Sequence, residues 1–409
     1  MTHDPGRADA PAVFDFARLI ASIDERTFFD QYWEQRPLVL SRGAADYYAG
    51  LCSIGDVDRI LTAADLRYPS LRLIRNGPDL PLDAFTHDVR SRRFTFTGVC
   101  DVERVLAEYQ GGATILLQRL DRSWPALGAL CRNLEERFFH AADANVYLTP
   151  KAAQGFGAHY DTHDVFVLQI AGTKHWRLHD APLRLPLESQ PFDGRAITPG
   201  PCVQELDVHP GDLIYLPRGT IHSALTSDTS SLHVTVGVTP QTWTDVLLAA
   251  VLARAGTDDR LREAVPLSAG TGADGADLQQ RFAGLLASVA AGIEVASVLA
   301  ALQARFVAER RPRLEGRLVE IETPQTPGLS TRVARRSGLI YRIALADGKA
   351  VLSFHTTTIA YPAHLEAALR YVSEGSAVDV SAIPGELDVL QRMLFVQRLV
   401  KEGFLVGQP

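Results

Sequence analysis

The chain has 409 residues, 46% of them apolar and 22% charged, which is enough for two or three domains around a sizeable core. Forty-one basic against 48 acidic residues leave a net charge of −7, arguing against a surface that coats nucleic acid and fitting a basic protein partner better. Four cysteines, Cys52, Cys100, Cys131 and Cys202, lack Cys-x-x-Cys spacing and offer neither a zinc site nor a disulfide framework.

Residues 1–12 are polar and predict a loose tail, with no signal-peptide pattern, and no run reaches the eighteen or so apolar residues of a membrane span. A cytoplasmic protein without membrane contact is expected. From Phe16 to Tyr32 apolar residues recur at helical spacing in two pieces, and Pro37 ends the second. Short helices are predicted over 54–65 and 101–109, strands over Arg67–Arg75, Arg93–Thr97 and Thr114–Gln118, and a helix over Pro125–Phe138.

Asn145, Tyr147 and Thr149 alternate with Val146 and Leu148, so on a strand the polar three share one face. In an extended His159-Tyr160-Asp161 the imidazole and the carboxylate point the same way, roughly 6–7 Å apart, within reach of one metal ion. Standing alone, such a pair is more often a surface turn or a satisfied core pair. Further on, Pro210-Gly211-Asp212 predicts a tight turn, Leu213–Leu216 a short apolar strand, and Pro217-Arg218-Gly219 a second turn before His222 enters a new strand. His222 thus supplies a third ligand from elsewhere in the fold. Two imidazoles and one carboxylate with open positions are the ligand set of non-haem Fe(II) oxygenases. Lys174 follows the Ala171-Gly172 turn on an apolar strand, where an unpaired ammonium is costly and an anionic partner is expected. His163 falls on the face of Asp161 in a regular strand, yet a fourth ligand would close a position that oxygen chemistry needs. His233, within Ser231–Val238, is the best candidate to support the site from behind, while His175 and His179 are ordinary strand residues.

After Val238 the composition changes. Helices are predicted over Asp245–Ala255, Leu278–Val289 and Ile293–Val307, with a small-residue linker over Ser268–Gly275. So short a helical block cannot bury both of its faces alone. From Arg310 the chain is locally basic, then predicts strands Leu339–Leu345 and Val351–Phe354 and helices Ala363–Glu374 and Leu387–Lys401.

The spacing of Gly211, Pro217, Gly219 and His222 resembles the second motif of the cupin family. The segments Asn145–Pro150, Gln154–Gln169 and Gly172–Trp176, with Phe28–Leu40 ahead of them, resemble JmjC-type cupins of the ribosomal oxygenase branch. The resemblance runs from about residue 14 to 406 and is strongest between 112 and 243. It implies an α+β chain: a double-stranded β-helix (cupin/JmjC jelly roll) with its helical lead-in over 1–240, a helical dimerisation block over 241–309 and a winged-helix-like domain over 310–409. It also implies His159, Asp161 and His222 as ligands of Fe(II). Lys174, thirteen residues after Asp161, would hold the far carboxylate of 2-oxoglutarate, and Asn145 and Tyr147 would border cosubstrate and substrate. Where many relatives place a small hydroxyl residue after His233-Val234-Thr235, this chain has Val236-Gly237-Val238.

The implied activity is Fe(II)-, 2-oxoglutarate- and O2-dependent hydroxylation of a side chain, histidine or arginine favoured, in a ribosomal or other protein, by a homodimer. Alternatives are a hydroxylase of a peptide natural product precursor, a cupin using the same metal without 2-oxoglutarate, and a non-catalytic regulator or scaffold. Lysine demethylation is less favoured because many demethylases carry Glu at the Asp161 position. The candidate recognition helix balances Arg392, Arg398 and Lys401 against Glu386, Asp388 and Glu402, so no direct nucleic-acid contact is expected of it.

Overall fold

The computed structural model describes residues 14–408 except 181, 267–274, 313, 325 and 376. The expected N-terminal tail and all of the expected linker but Gly275 lie outside the described residues. Two compact units result, 1–240 and 241–409.

Among the described residues of the first unit, twelve strands follow in order: β1 Leu38–Leu40, β2 Leu71–Ile74, β3 Thr86–Ser91, β4 Phe94–Cys100, β5 Thr114–Leu117, β6 Ala141–Thr149, β7 Asp164–Ala171, β8 Lys174–His179, β9 Cys202–Val208, β10 Leu213–Leu216, β11 His222–Leu225 and β12 Ser231–Thr239. Seven of them form an antiparallel sheet in the order β1-β10-β7-β12-β6-β5-β2, and β11-β8-β9 form a smaller one. The β3–β4 hairpin stands apart as a two-stranded ribbon.

Period-two alternation sorts the side chains of the large sheet. One face, including Val146, Leu148, Phe166, Leu168, Tyr215 and Val234, joins Phe16, Phe28, Leu127, Leu130 and Leu134 of the covering helices in the main core. The helix Pro125–Phe138 is among them; Pro125 starts it at a position where a missing N–H costs nothing. The opposite face turns to the small sheet. There Val165, Val167, Ile214 and Leu216 meet Trp176, Leu178 and Val208 in a second, smaller core. The residues of β6 and β12 on that face are the polar ones: Thr149 faces Ser231, Tyr147 faces His233, and Asn145 faces Thr235 across the ladder.

The second unit starts with helices Trp243–Ala255, Gly275–Gly292 and Val295–Glu309, which bury Ala250, Val289, Val298 and Leu302 together. Beyond them, strands Tyr341–Ala346, Lys349–Phe354 and Thr357–Pro362 form one sheet, and Arg332–Arg335 pairs with Val378–Asp379 and Leu405–Gln408 in another. Helices Glu366–Ser373 and Val389–Lys401 complete a core around Leu352, Phe354, Leu369, Phe395 and Phe404. The sequence pattern ran from Phe354 straight to a helix at Ala363. In the structure a turn through His355, at φ +47°, inserts a third strand there. Among the described residues no single helix is long and apolar enough to cross a membrane; Gly275–Gly292 and Val295–Glu309 pass that test only as a pair bent by 81°.

Candidate metal centre

His159 lies on an irregular segment before β7, and the expected strand through His159-Tyr160-Asp161 is absent: His159 makes an isolated bridge to His222, and Asp161 lies outside any strand. Backbone hydrogen bonds still hold the segment extended, His222 N to His159 O at 2.8 Å, His159 N to His222 O at 3.1 Å and Gly219 N to Asp161 O at 3.0 Å. Tyr160 points the other way, buried, its hydroxyl donating to Gln190 O at 3.1 Å. The alternation expected of a strand therefore survives without the strand. Gly219 sits at φ +90°, and a Cβ there would lie 2.3 Å from Leu183 O, so the turn that delivers His222 needs glycine.

One ligand atom from each of His159, Asp161 and His222 lies within 4.8 Å of the others, and His222 Nε2 is 3.6 Å from Asp161 Oδ2. Each imidazole directs Nδ1 at a backbone carbonyl, Gly157 O at 2.8 Å for His159 and Thr220 O at 3.0 Å for His222. An Nδ1–H that donates there leaves both Nε2 lone pairs facing the carboxylate. Burial, then the neighbouring His159, pushes His222 down to about 4. Burial alone would raise Asp161, but the His163, His222 and His159 imidazoles outweigh it and hold the carboxyl below its ordinary range. Two imidazoles that present Nε2 beside an ionised carboxylate are a donor set that fits a divalent transition-metal ion.

The triad borders a cavity of about 250 Å³ between the two sheets. Lys174 lines it too, 4% exposed, and its Nζ donates to Thr149 Oγ1 at 3.1 Å. Among the described residues no carboxylate forms an ion pair with it, and burial pushes the ammonium down to about 7. His233 is buried, stacks on Tyr147 with ring centroids 4.8 Å apart, and leaves its Nδ1 without a partner. A buried cation without a counter-charge and an orphaned ring nitrogen fit an anion that carries several acceptor oxygens. Burial raises the Tyr147 hydroxyl well above its ordinary value, and that hydroxyl hydrogen-bonds Thr235. Asn145 lines the cavity, but its Oδ1 already accepts from Arg119 N at 2.9 Å. His163 packs on bare Gly237, where a Cβ would lie 2.6 Å from its Cδ2. The absent hydroxyl side chain noted in the sequence is thus the space a histidine ring fills.

Sequence reasoning missed Arg72 and Phe156 at the cavity wall and Thr114, whose Oγ1 donates to Thr149 Oγ1 at 3.1 Å. Arg72 faces Leu116, which faces Tyr147, which faces His233, a row that exists only through strand pairing. No local pattern marks it.

Residues 123–246 match the JmjC domain family. The protein carries a JmjC domain. Ribosomal oxygenase 1 of Danio rerio is 32% identical over 268 residues, covering 62% of this chain and 46% of that protein. Ribosomal oxygenase 2 of Mus musculus is 34% identical over 254 residues, covering 59% and 51% respectively. The chain spans about half the length of these curated relatives. Among solved structures, the ribosomal oxygenase YcfD of Escherichia coli, in complex with cobalt and 2-oxoglutarate, superposes with a TM-score of 0.55 at 16% identity over 95% of this chain and 99% of that one. That likeness is one of fold. The JmjC domain match includes all three triad residues, Lys174, Asn145 and Tyr147.

Proposed function

We propose that the protein is an Fe(II)- and 2-oxoglutarate-dependent oxygenase that hydroxylates a side chain of a protein. The observation that carries this reading is the cavity itself: a two-histidine, one-carboxylate triad and a buried lysine without a counter-charge border the same space. His159 and His222 would hold Fe(II) through Nε2 and Asp161 through its carboxylate. Lys174 would pair with the far carboxylate of 2-oxoglutarate, aided by Thr149. Tyr147 and Asn145 border the remaining space. When bound, iron, 2-oxoglutarate and O2 supply the oxidising chemistry, releasing CO2 and succinate and placing one oxygen atom in a C–H bond of the target. The chain's own task is to hold these groups in register and to keep water out, which the apolar wall of Val165, Val167 and Trp176 serves.

Histidine suits this cavity better than arginine as the target. Among the described lining residues the one carboxylate is Asp161, which the metal would engage, and Arg72 adds a guanidinium already paired with Asp79 at 2.8 Å. An arriving guanidinium finds no free counter-charge. The names of the relatives support a ribosomal protein as the substrate. The exposed apolar residues of Trp243–Ala255 support a homodimer through the helical block, and the paired helices and short sheets of 310–409 support a winged-helix-like unit that docks a partner.

The test needs no substrate. Fe(II) and then 2-oxoglutarate, added anaerobically to metal-free protein, should give the visible charge-transfer band of the chelated complex. Asp161→Ala should abolish both band and turnover while keeping the fold by circular dichroism, and Lys174→Ala should need far more 2-oxoglutarate. Iron binding without a band would overturn 2-oxoglutarate as the cosubstrate; no binding at all would favour the scaffold reading.

A further inference from the structure

The β3–β4 hairpin carries a composition that its own folding does not require. Its register pairs Val89 with Phe96 and Ser91 with Phe94, so both phenylalanines stand on one face. They are open to solvent, Phe94 67% and Phe96 38% exposed, and the Arg67 guanidinium lies 4.8 Å from the Phe96 ring centroid. Arg90 stands on the opposite face and Arg92-Arg93 form the two-residue turn. Such turns favour Asn-Gly or other glycine-containing pairs, so two arginines gain nothing there from backbone geometry. Arg67, Arg90, Arg92 and Arg93 are all exposed, and among the described residues none of the four forms an ion pair. The one carboxylate within the hairpin, Asp88, accepts from Gly98 N at 3.2 Å. In a chain of net charge −7, four guanidinium groups without ion pairs among the described residues, around two solvent-exposed rings, form a local exception.

We infer that this hairpin binds single-stranded nucleic acid. Arginines pair with phosphates, and flat aromatic rings stack on bases. Side chains two residues apart on a strand are roughly 6–7 Å apart, about twice the 3.4 Å repeat along one strand of a duplex, so Phe94 and Phe96 match successive bases of an unstacked strand and not a duplex. An acidic peptide would engage the arginines but leave the rings without a planar partner. Arg67 bridges to Val99 of β4 and lies four residues ahead of Leu71, the first residue of β2, the edge strand that carries Arg72 at the cavity wall. The expectation of no nucleic-acid contact rested on net charge and on the C-terminal helix, neither of which reports on this ribbon. The inference stands independently of the oxygenase reading.

Fluorescence anisotropy of labelled oligouridylate and oligothymidylate with the full-length protein, over a range of salt, tests it. Four phosphate contacts on a single strand give a slope of log affinity against log salt of about −3. Arg92→Ala/Arg93→Ala should flatten that slope by about 1.4. Phe94→Ala/Phe96→Ala should weaken binding about tenfold or more and leave the slope unchanged. All four side chains are exposed, so melting temperatures should hold, which separates lost contact from lost fold. Binding to both oligonucleotides, or preference for RNA, supports the inference. It is overturned by absent wild-type binding, by binding indifferent to both double variants, by equal competition from oligoglutamate, or by the variants changing only the oligomeric state.

Discussion

Lys174 concentrates the electrostatics of the cavity in one side chain. Burial brings its ammonium down to about 7, so in the free protein it is charged below that pH and increasingly neutral above it. A dicarboxylate bound against Nζ favours the charged form, so above pH 7 binding must take up a proton. The affinity for 2-oxoglutarate should therefore be full below pH 7 and fall by up to about tenfold per pH unit above it. His222, pushed down to about 4, stays neutral through that window and does not confuse the profile. Titrating the charge-transfer band with 2-oxoglutarate from neutral to alkaline pH would measure the effect. In Lys174→Arg, whose guanidinium stays charged, the dependence should flatten; a flat wild-type profile would count against Lys174 as the anchor.

At the scale of elements, the two segments that carry Asp161 and His222 are pinned by a buried ion cluster. Arg218, in the turn before His222, donates through Nη1 to Asp164 Oδ2 at 3.0 Å and also pairs with Glu34. Asp164, at the start of β7 just after Asp161, is fully buried and accepts the Tyr215 hydroxyl at 2.8 Å. Tyr215 in turn accepts Glu34 N at 2.9 Å, tying the N-terminal helices to the sheet. Removing one partner strands the other charge in the core. Arg218→Met should thus cost about 3–5 kcal/mol in urea unfolding, and Arg218→Met/Asp164→Asn should recover part of that loss because no buried charge remains unpaired. A single variant as stable as the wild type would show that the cluster does not hold these elements.

For the whole molecule, the helical block leaves Trp243, Leu247, Leu248 and Leu252 at least 59% exposed along one thirteen-residue helix. Apolar surface so concentrated marks a contact region. Sedimentation should give a dimer for the wild type and a monomer for Leu248→Glu/Leu252→Glu, and a wild-type monomer would remove the dimer from the proposed function. Much of the fold was legible in the residues. The helix Pro125–Phe138 has the bounds its apolar spacing and leading proline give, and the turn–strand–turn before His222 follows its glycines and prolines. The strand Thr357–Pro362 was not legible, because its pattern merges with the start of the helix that follows. The His159-Tyr160-Asp161 alternation was read correctly, although on a segment held by cross-chain hydrogen bonds and not by a regular strand. Sequence alone determined what depends on neighbours along the chain: period-two facing, turn positions, and which side chains could serve as ligands, since backbone sterics act locally. Tertiary structure decided that His222 meets His159, that Arg72 and Phe156 wall the cavity, and that Lys174 is stripped of water, because strand partnership and desolvation depend on residues far away in the chain.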